Sequence, residues 1–189
     1  MKVSKAQAQE NRQRVVEAAS LLFRERGYDG VGVVELMAAA GLTHGGFYKQ
    51  FSSKAALMAE SAACGFSQSV RQLEGVDIAQ FVENYLSRAH RDVRGPGCTI
   101  AGLGGDAARQ DDDIKREFGN GIEALVQALG DMLAGQGAPH DRARILALIA
   151  QVVGALVLSR ACPDTSALSE EILVACRQQV MTQMQNTQA

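Results

Sequence analysis

The feature that most constrains the fold is a short segment, residues 41–51 (GLTHGGFYKQF). Gly41 can adopt the left-handed backbone conformation that ends a helix, and Thr43 can cap the next helix by accepting hydrogen bonds from its first N–H groups. Phe47 and Phe51, four positions apart, would share one face and anchor it to a hydrophobic base. The segment therefore predicts a short helix that buries its aromatic side chains and presents its polar ones.

The preceding residues complete a helix-turn-helix pattern. Residues 33–40 favour a helix, with apolar side chains at helical spacing. A helix, a glycine-containing turn and a second helix form a DNA-binding motif whose second helix enters the major groove. Residues 12–26 carry another apolar stripe that Gly27 should end, so three helices are predicted in about the first fifty residues.

The order and spacing of these features resemble the N-terminal domain of the TetR/AcrR family of bacterial transcriptional regulators. The resemblance covers about residues 10–60 and depends on four short segments. These are LFRERGY at 22–28, AGLT at 40–43, GFY at 46–48 and FSSKAAL at 51–57. One departure is Gly32, which stands where many relatives have a better helix cap, at a cost of roughly a few tenths of a kcal/mol.

The resemblance implies an all-α fold of about nine helices in two domains. Residues 1–53 would form the helix-turn-helix domain, and residues 54–189 a helical domain that binds an effector and forms a dimer. Three prolines and few alternating β-branched runs agree with an all-α chain. The longest apolar stretch, residues 145–158, is too short for a membrane span, and residues 1–11 lack a signal-peptide core. We therefore expect a soluble cytoplasmic protein with no membrane association.

The polar residues around the second helix of the motif are the candidates for DNA contact. They are Thr43, His44, Gly45, Tyr48, Lys49 and Lys54. The first three would approach base edges, and the last three are expected at phosphates. Outside such a motif, His44 would be a solvated surface residue and Tyr48 a half-buried packing residue.

Charge supports a separate DNA-binding head. The chain has a net charge of −2, yet residues 1–60 are net positive and the remainder net negative. A basic head on an acidic body suits a DNA-binding domain carried by a sensing domain. The first basic residues could add non-specific DNA contacts or form a disordered solubilising tail. These residues are Lys2, Lys5, Arg12 and Arg14.

Beyond residue 53, helical segments are separated by clear breaks, the strongest being Gly95-Pro96-Gly97. Helices are expected over about residues 54–73 and 77–93, from residue 98, over 111–134, from 139 or 141 to 161, and from 166 or 169 to 184. The last two carry broad apolar faces. A monomer could bury them as core helices, whereas the family resemblance implies a four-helix bundle shared by two protomers. A homodimer on a palindromic operator would also supply the specificity that one small head lacks.

Four cysteines, at 64, 98, 162 and 176, show no metal-binding spacing, so no metal or other cofactor is expected. The segment Gly97-Cys98-Thr99 resembles the Gly-Cys segment of the subgroup that includes the N-ethylmaleimide-reductase repressor. In some members this cysteine senses electrophiles or oxidants. A helix N-terminus favours the reactive thiolate, but Cys98 could equally be a small buried packing residue.

An effector pocket is expected among the middle helices. Its candidate lining residues are Phe66, Phe81, Tyr85, Phe118 and Ile122. Residues at helical spacing more often form a core than a ligand site, and the sequence does not separate the two uses.

Three classes of function fit these observations. The first is a dimeric, non-enzymatic repressor released from DNA by a small-molecule effector or by modification of Cys98. The second is a thiol enzyme with Cys98 as nucleophile and His90 or His140 as base. The third is a helical scaffold with a vestigial head. The enzyme lacks a nucleophile motif and leaves the helix-turn-helix unexplained, so the sequence favours the repressor.

Overall fold

The computed structural model describes residues 4–135 and 141–185, and over these residues its regular structure is entirely helical. The prediction of an all-α fold is confirmed. The elements are α1 (Lys5–Arg26), α2 (Val33–Ala39), a 3₁₀ helix (His44–Lys49), α3 (Lys54–Arg71), α4 (Ile78–Tyr85), α5 (Arg88–Asp92), α6 (Thr99–Ala107), α7 (Asp112–Gly135), α8 (Arg142–Ala161) and α9 (Ala167–Gln185).

Helix starts follow the capping chemistry of the sequence. The side chains of Ser4, Ser53, Asp77 and Ser87 accept backbone N–H groups at the starts of α1, α3, α4 and α5. The cap at Ser87 explains why the single helix predicted over residues 77–93 is two helices. Between them the backbone leaves helical geometry at Leu86, where ψ is 36°.

Two other predictions change at helix ends. Because Ser4 caps α1, this helix begins at Lys5 rather than near residue 12, and the predicted basic arm is largely helical. Lys2 and the predicted helix start at Pro139 lie outside the described residues. The other predicted start of α8, Asp141, caps the helix by accepting from the N–H of Ala143.

The hydrophobic core runs without interruption from the head into the body. Phe23 of α1 and Phe47 of the 3₁₀ helix belong to the same buried cluster as Leu57 of α3, Leu103 of α6 and Phe118 of α7. α3 packs along both α1 and α7. The head is therefore held against the body by shared apolar packing as well as by the chain connection.

The second half of the body is organised around α8 and α9. Val152 and Ala155 of α8 are buried with Leu173 and Val180 of α9, and Val82 of α4 joins them. α8 is longer than the apolar stretch noted in the sequence. Its 20 residues, with a mean hydropathy of 1.7, could cross a membrane by length and composition alone, a test that the core helix of a soluble protein also passes.

A buried arginine joins three helices at the junction of head and body. Arg24 of α1 is 2% exposed. Its guanidinium donates to Gln68 Oε1 of α3 at 2.8 Å and to Thr99 Oγ1 of α6 at 3.4 Å. A second contact fixes the end of α1, where the N–H of Tyr28 donates to Asp106 Oδ2 of α6 at 3.0 Å. These bonds set the position of α1 against α6.

The packing of α3 on α7 generates a stability prediction. A Cβ added at Gly121 of α7 would lie 2.2 Å from the ring of Phe66, which packs edge-to-face on Phe118. We expect Gly121→Ala to lower the free energy of unfolding by about 1–3 kcal/mol, because the ring has to move within a packed core. Urea denaturation followed by circular dichroism measures the change.

Gly119, in the same helix, supplies the matched control. A Cβ there meets no atom within 4 Å, so Gly119→Ala should raise the free energy of unfolding by up to about 1 kcal/mol through helix propensity alone. Equal effects of the two substitutions would contradict the packing described for Gly121.

Candidate functional site

The 3₁₀ helix is anchored by its aromatic residues and presents its polar ones. Phe47 is fully buried and Phe51 almost so, with ring centroids 5.5 Å apart. Tyr48 is 72% exposed, which excludes the half-buried packing role considered from the sequence. The other exposed residues of this surface, which we call the presented face, are Thr43, His44, Gly45 and Lys49.

Two details of this helix differ from the sequence prediction. The segment forms six residues of 3₁₀ helix rather than an α-helix, since two consecutive glycines weaken α-helical propensity. Thr43 occupies the N-cap position, but its side chain makes no capping hydrogen bond. Its backbone carbonyl instead accepts from the N–H of Gly46 at 3.1 Å.

The turn before the 3₁₀ helix is fixed by Gly41 and Arg14. Gly41 has a φ of +71°, a left-handed conformation that favours glycine. Arg14 of α1 donates to the carbonyl of Ala40 at 2.5 Å. This arginine therefore binds the turn of the motif instead of extending as an arm.

Arg12 holds the other end of the 3₁₀ helix. Its guanidinium donates to the carbonyl of Gln50 at 3.3 Å, pairs with Glu60 of α3 and lies 4.6 Å from the centroid of the Phe51 ring. A cation over an aromatic face is an attractive arrangement. The sequence assigned Arg12 to a basic arm, but its contacts make it a positioning residue.

Lys54, a predicted phosphate contact, is occupied within the head. Its ammonium group donates to the carbonyl of Tyr28 at 2.6 Å and lies 5.8 Å from the Phe23 ring centroid. Lys49 differs because it is exposed and has no hydrogen bond or ion pair with the described residues. Lys49 is thus the freer cation of the two, while a DNA contact by either remains a prediction.

A second candidate site is a cavity of about 430 Å³ in the body. Most of its wall is apolar, and the wall comes from helices α3, α4, α5, α6, α7 and α8 and the loops between them. The apolar lining residues are Leu73, Val76, Phe81, Val93, Pro96, Ile100, Leu125, Leu129, Ile149, Val152 and Val153, with Gly97. The polar ones are Ser69, Gln72, Asn84, Tyr85, His90 and Cys98.

The predicted pocket residues divide between this cavity and the core. Phe81 and Tyr85 line the cavity. Phe66 and Phe118 do not, because their rings pack on each other with centroids 5.2 Å apart. Ile122 is also absent from the cavity wall and packs between two core clusters.

His90 connects the backbone of Tyr85 to that of Cys98 at one end of the cavity, which we call the polar end. Its Nδ1 lies 2.7 Å from the carbonyl of Tyr85, and its Nε2 lies 3.1 Å from the N–H of Cys98. These partners fix the tautomer, since Nδ1 must donate to the carbonyl and Nε2 must accept from the N–H. Burial lowers the pKa of His90, which favours this neutral form. The sequence suggested His90 as a partner of the Cys98 thiol, but it did not predict that His90 binds backbone groups instead.

Cys98 occupies the N-cap position of α6 and is 8% exposed. The Tyr85 hydroxyl is close enough to the Cys98 thiol for the two groups to interact electrostatically. The hydroxyl is buried and makes no hydrogen bond of normal geometry with the described residues, and the side chain near enough to pair with it is the Cys98 thiol, a weak hydrogen-bonding group. Burial, and after it the thiol, raises the pKa of Tyr85 well above its usual value, so this phenol stays protonated.

The remaining cysteines lie away from this cavity and are partly buried. Cys64, Cys162 and Cys176 are free thiols, as is Cys98. Among the described residues, no three His, Cys, Asp or Glu side chains are grouped so that they could hold a metal ion.

Comparison with known proteins places the head in one family. The profile of the bacterial regulatory proteins of the tetR family matches residues 15–60. The HTH-type transcriptional repressor DhaR of Mycobacterium sp. (strain GP1) is 30% identical over 113 residues, which cover 57% of this chain and 57% of that protein. The match thus spans little more than half the length of this relative.

Solved structures extend the likeness to the body. The reduced form of E. coli NemR superposes with a TM-score of 0.73 at 18% identity, covering 90% of this chain and 95% of that one. A TetR transcriptional regulator from Chloroflexus aurantiacus J-10-FL gives a TM-score of 0.68 at 26% identity, covering 94% and 95%. Residues 15–60 thus match the tetR-family profile, and the fold of nearly the whole chain is that of TetR-type regulators of known structure.

Proposed function

We propose that this protein is a cytoplasmic transcriptional repressor that binds a palindromic operator as a homodimer and leaves it when an effector enters the cavity. The observation that carries the proposal is the presented face of the 3₁₀ helix, with Tyr48 exposed above the buried Phe47 and Phe51. The match of residues 15–60 to the tetR-family profile and the likeness to the repressor DhaR support the same function.

The presented face suits contact with DNA. His44 can donate to a base acceptor, while Tyr48 and Lys49 can donate to phosphates. Gly45 adds a steric argument, since a Cβ at this position would meet no atom within 4 Å. The fold itself therefore does not require a glycine here, and close approach to DNA gives a reason for one.

Exposed apolar residues on the last two helices support a homodimer. Leu146, Val157 and Leu158 of α8 and Leu168 of α9 are between 40% and 60% exposed. A second copy would cover them, and to bind one face of DNA the two heads must lie about 34 Å apart, one turn of DNA, or a multiple of it. The rest of the broad apolar surface of α8 is used within the protomer, where Ile149 and Val152 also line the cavity.

The cavity and the head are connected through α6. Cys98 lines the cavity, and the next residue, Thr99, accepts a hydrogen bond from Arg24 of α1. A molecule that pushes on the N-terminus of α6 would therefore act directly on the helix that carries the head. Modification of the Cys98 thiol would press on the same point and is a second possible trigger.

A thiol enzyme has less support. Both ring nitrogens of His90 are engaged by backbone groups, so this imidazole is not free to take a proton from Cys98. His140, the other candidate base, lies outside the described residues. DhaR is named as a transcriptional repressor and the Chloroflexus protein as a transcriptional regulator.

The presented face predicts distinct effects of two substitutions on DNA binding. Lys49→Ala should weaken binding to every sequence and lower the slope of log K against log salt by about one, because one phosphate contact is lost. His44→Ala should instead relax discrimination at one base position, by roughly 1–3 kcal/mol. Fluorescence anisotropy with a duplex from the protein's own upstream region, at several salt concentrations, measures both effects.

Lys115→Ala is the control for this experiment, since Lys115 lies in α7 and pairs with Asp112. It should leave both the affinity and the salt slope unchanged. A uniform loss of affinity in His44→Ala would refute its assignment to base contact. DNA binding that survives Lys49→Ala combined with Tyr48→Ala would favour the scaffold alternative.

The homodimer is tested by introducing a charge among the exposed apolar residues of α8. Leu158→Glu should give a monomer in sedimentation velocity, because two carboxylates would be buried without partners at the interface. Val34→Glu is the control, since Val34 is 64% exposed on α2 and Leu158 is 60% exposed. A Leu158→Glu protein that remains dimeric would place the interface elsewhere.

Modification of Cys98 is tested with a thiol reagent. We expect N-ethylmaleimide to release the protein from its duplex, because an adduct on this thiol would occupy the cavity beside α6. Cys98→Ser should stay bound in the reagent, whereas Cys64→Ser should be released like the parent. If N-ethylmaleimide does not change DNA binding, Cys98 is a packing residue, and a reversible effector is the trigger.

A further inference from the structure

The wall of the cavity contains no formal charge. Among the described residues that line it, none is Asp, Glu, Lys or Arg. A charged ligand would lose its hydration without gaining an ionic partner at the wall, which is unfavourable in an apolar site. The extensive apolar lining instead favours a molecule with a large apolar body.

One hydrogen-bond donor at the polar end is unused. The Tyr85 hydroxyl is buried without a partner, and the neighbouring Cys98 thiol is only a weak hydrogen-bonding group. Tyr85 lines the cavity, and its protonated phenol can donate to a ligand whose acceptor reaches the hydroxyl. A ligand with a suitable acceptor would remove the cost of leaving this buried donor unpaired.

Most other polar groups of the wall either have partners within the protein or, like the amides of Gln72 and Asn84, belong to exposed residues that water can reach. Both nitrogens of His90 bind backbone groups. The hydroxyl of Ser69 donates to the carbonyl of Gly65 at 3.1 Å, and the side-chain oxygen of Asn84 accepts from Gln80 at 3.1 Å. Tyr85 is therefore the donor with the most to gain from a ligand.

Arg160 makes the electrostatic potential positive at the end of the cavity formed by Tyr85 and Cys98. Its guanidinium donates to the carbonyls of Arg91 at 3.0 Å and His90 at 2.8 Å. It lies close enough to Tyr85 and Cys98 to interact with both electrostatically. No carboxylate of the described chain forms an ion pair with it. Its positive charge disfavours a cation in the cavity and favours an electron-rich acceptor.

We propose that the cavity binds a mainly apolar molecule that presents an oxygen acceptor to the Tyr85 hydroxyl, and that it rejects cations. This inference names the chemical class of the effector and so depends on the proposed function for its regulatory meaning. The binding itself can be measured on the protein alone.

Three naphthalenes of nearly equal shape test the proposal by isothermal titration calorimetry. 2-Acetylnaphthalene carries the acceptor, 2-ethylnaphthalene lacks it, and 1-(2-naphthyl)ethylamine is a cation at neutral pH. We expect the ketone to bind about 3- to 10-fold more tightly than the ethyl compound, the range for one net hydrogen bond. The amine should bind at least about 10-fold more weakly than the ketone.

A matched pair of variants assigns the preference to Tyr85. Tyr85→Phe should bind the ketone and the ethyl compound equally. Tyr28→Phe removes another buried hydroxyl without a partner, in the core of the head rather than at the cavity, and should keep the preference. Thermal unfolding of both variants shows that they fold.

Several results would overturn the inference. They are failure of all three compounds to bind, equal binding of ketone and ethyl compound, binding of the amine as tight as the ketone, or a preference that survives in Tyr85→Phe. DNA binding is measured separately by anisotropy. A protein that prefers the ketone but does not bind the duplex would refute the repressor and leave the ligand class standing. A protein that binds the duplex but shows no preference for the ketone would refute only the ligand class.

Discussion

The attachment of the head to the body depends, together with the shared apolar core, on a buried guanidinium that forms no ion pair with any carboxylate of the described residues. Arg24 is 2% exposed, and desolvation lowers its pKa while the nearby thiols of Cys64 and Cys98 oppose that shift. Taking such a cation from water costs several kcal/mol, which hydrogen bonds to Gln68 and Thr99 offset in part. Because few arrangements satisfy this group, it restricts how α1 can sit against α3 and α6.

The short helix α6 is the element on which this restriction acts. Its nine residues begin beside the cavity at Cys98 and end near the turn after α1, where Asp106 accepts from Tyr28. Between these points, a Cβ on Gly102 would lie 3.1 Å from the carbonyl of Arg24. With so little free space, a displacement of α6 has to be shared by α1. The geometry thus supplies a short physical path between cavity and DNA-binding head.

The sequence predicted features that depend on neighbouring residues and missed those that depend on distant ones. The left-handed turn at Gly41 and the shared face of Phe47 and Phe51 follow from spacing, and the structure has both. The supposed arm residue Arg12 binds Glu60, 48 positions away. Periodicity showed that Phe66 and Phe81 lie on apolar faces, but not that one meets another ring while the other meets a cavity.

The same distinction divides the hydrogen-bond donors of the head into two groups. Arg14 and Lys54 donate hydrogen bonds to backbone carbonyls within the head and so stabilise the motif. His44, Tyr48 and Lys49 remain exposed on the presented face. A substitution in the first group would disturb the shape of the head as well as its charge, so a loss of DNA binding there would not identify a contact. Only the exposed group can separate recognition from folding. Its small size is also a physical reason for two heads, since each base pair read adds only about 1–3 kcal/mol of discrimination.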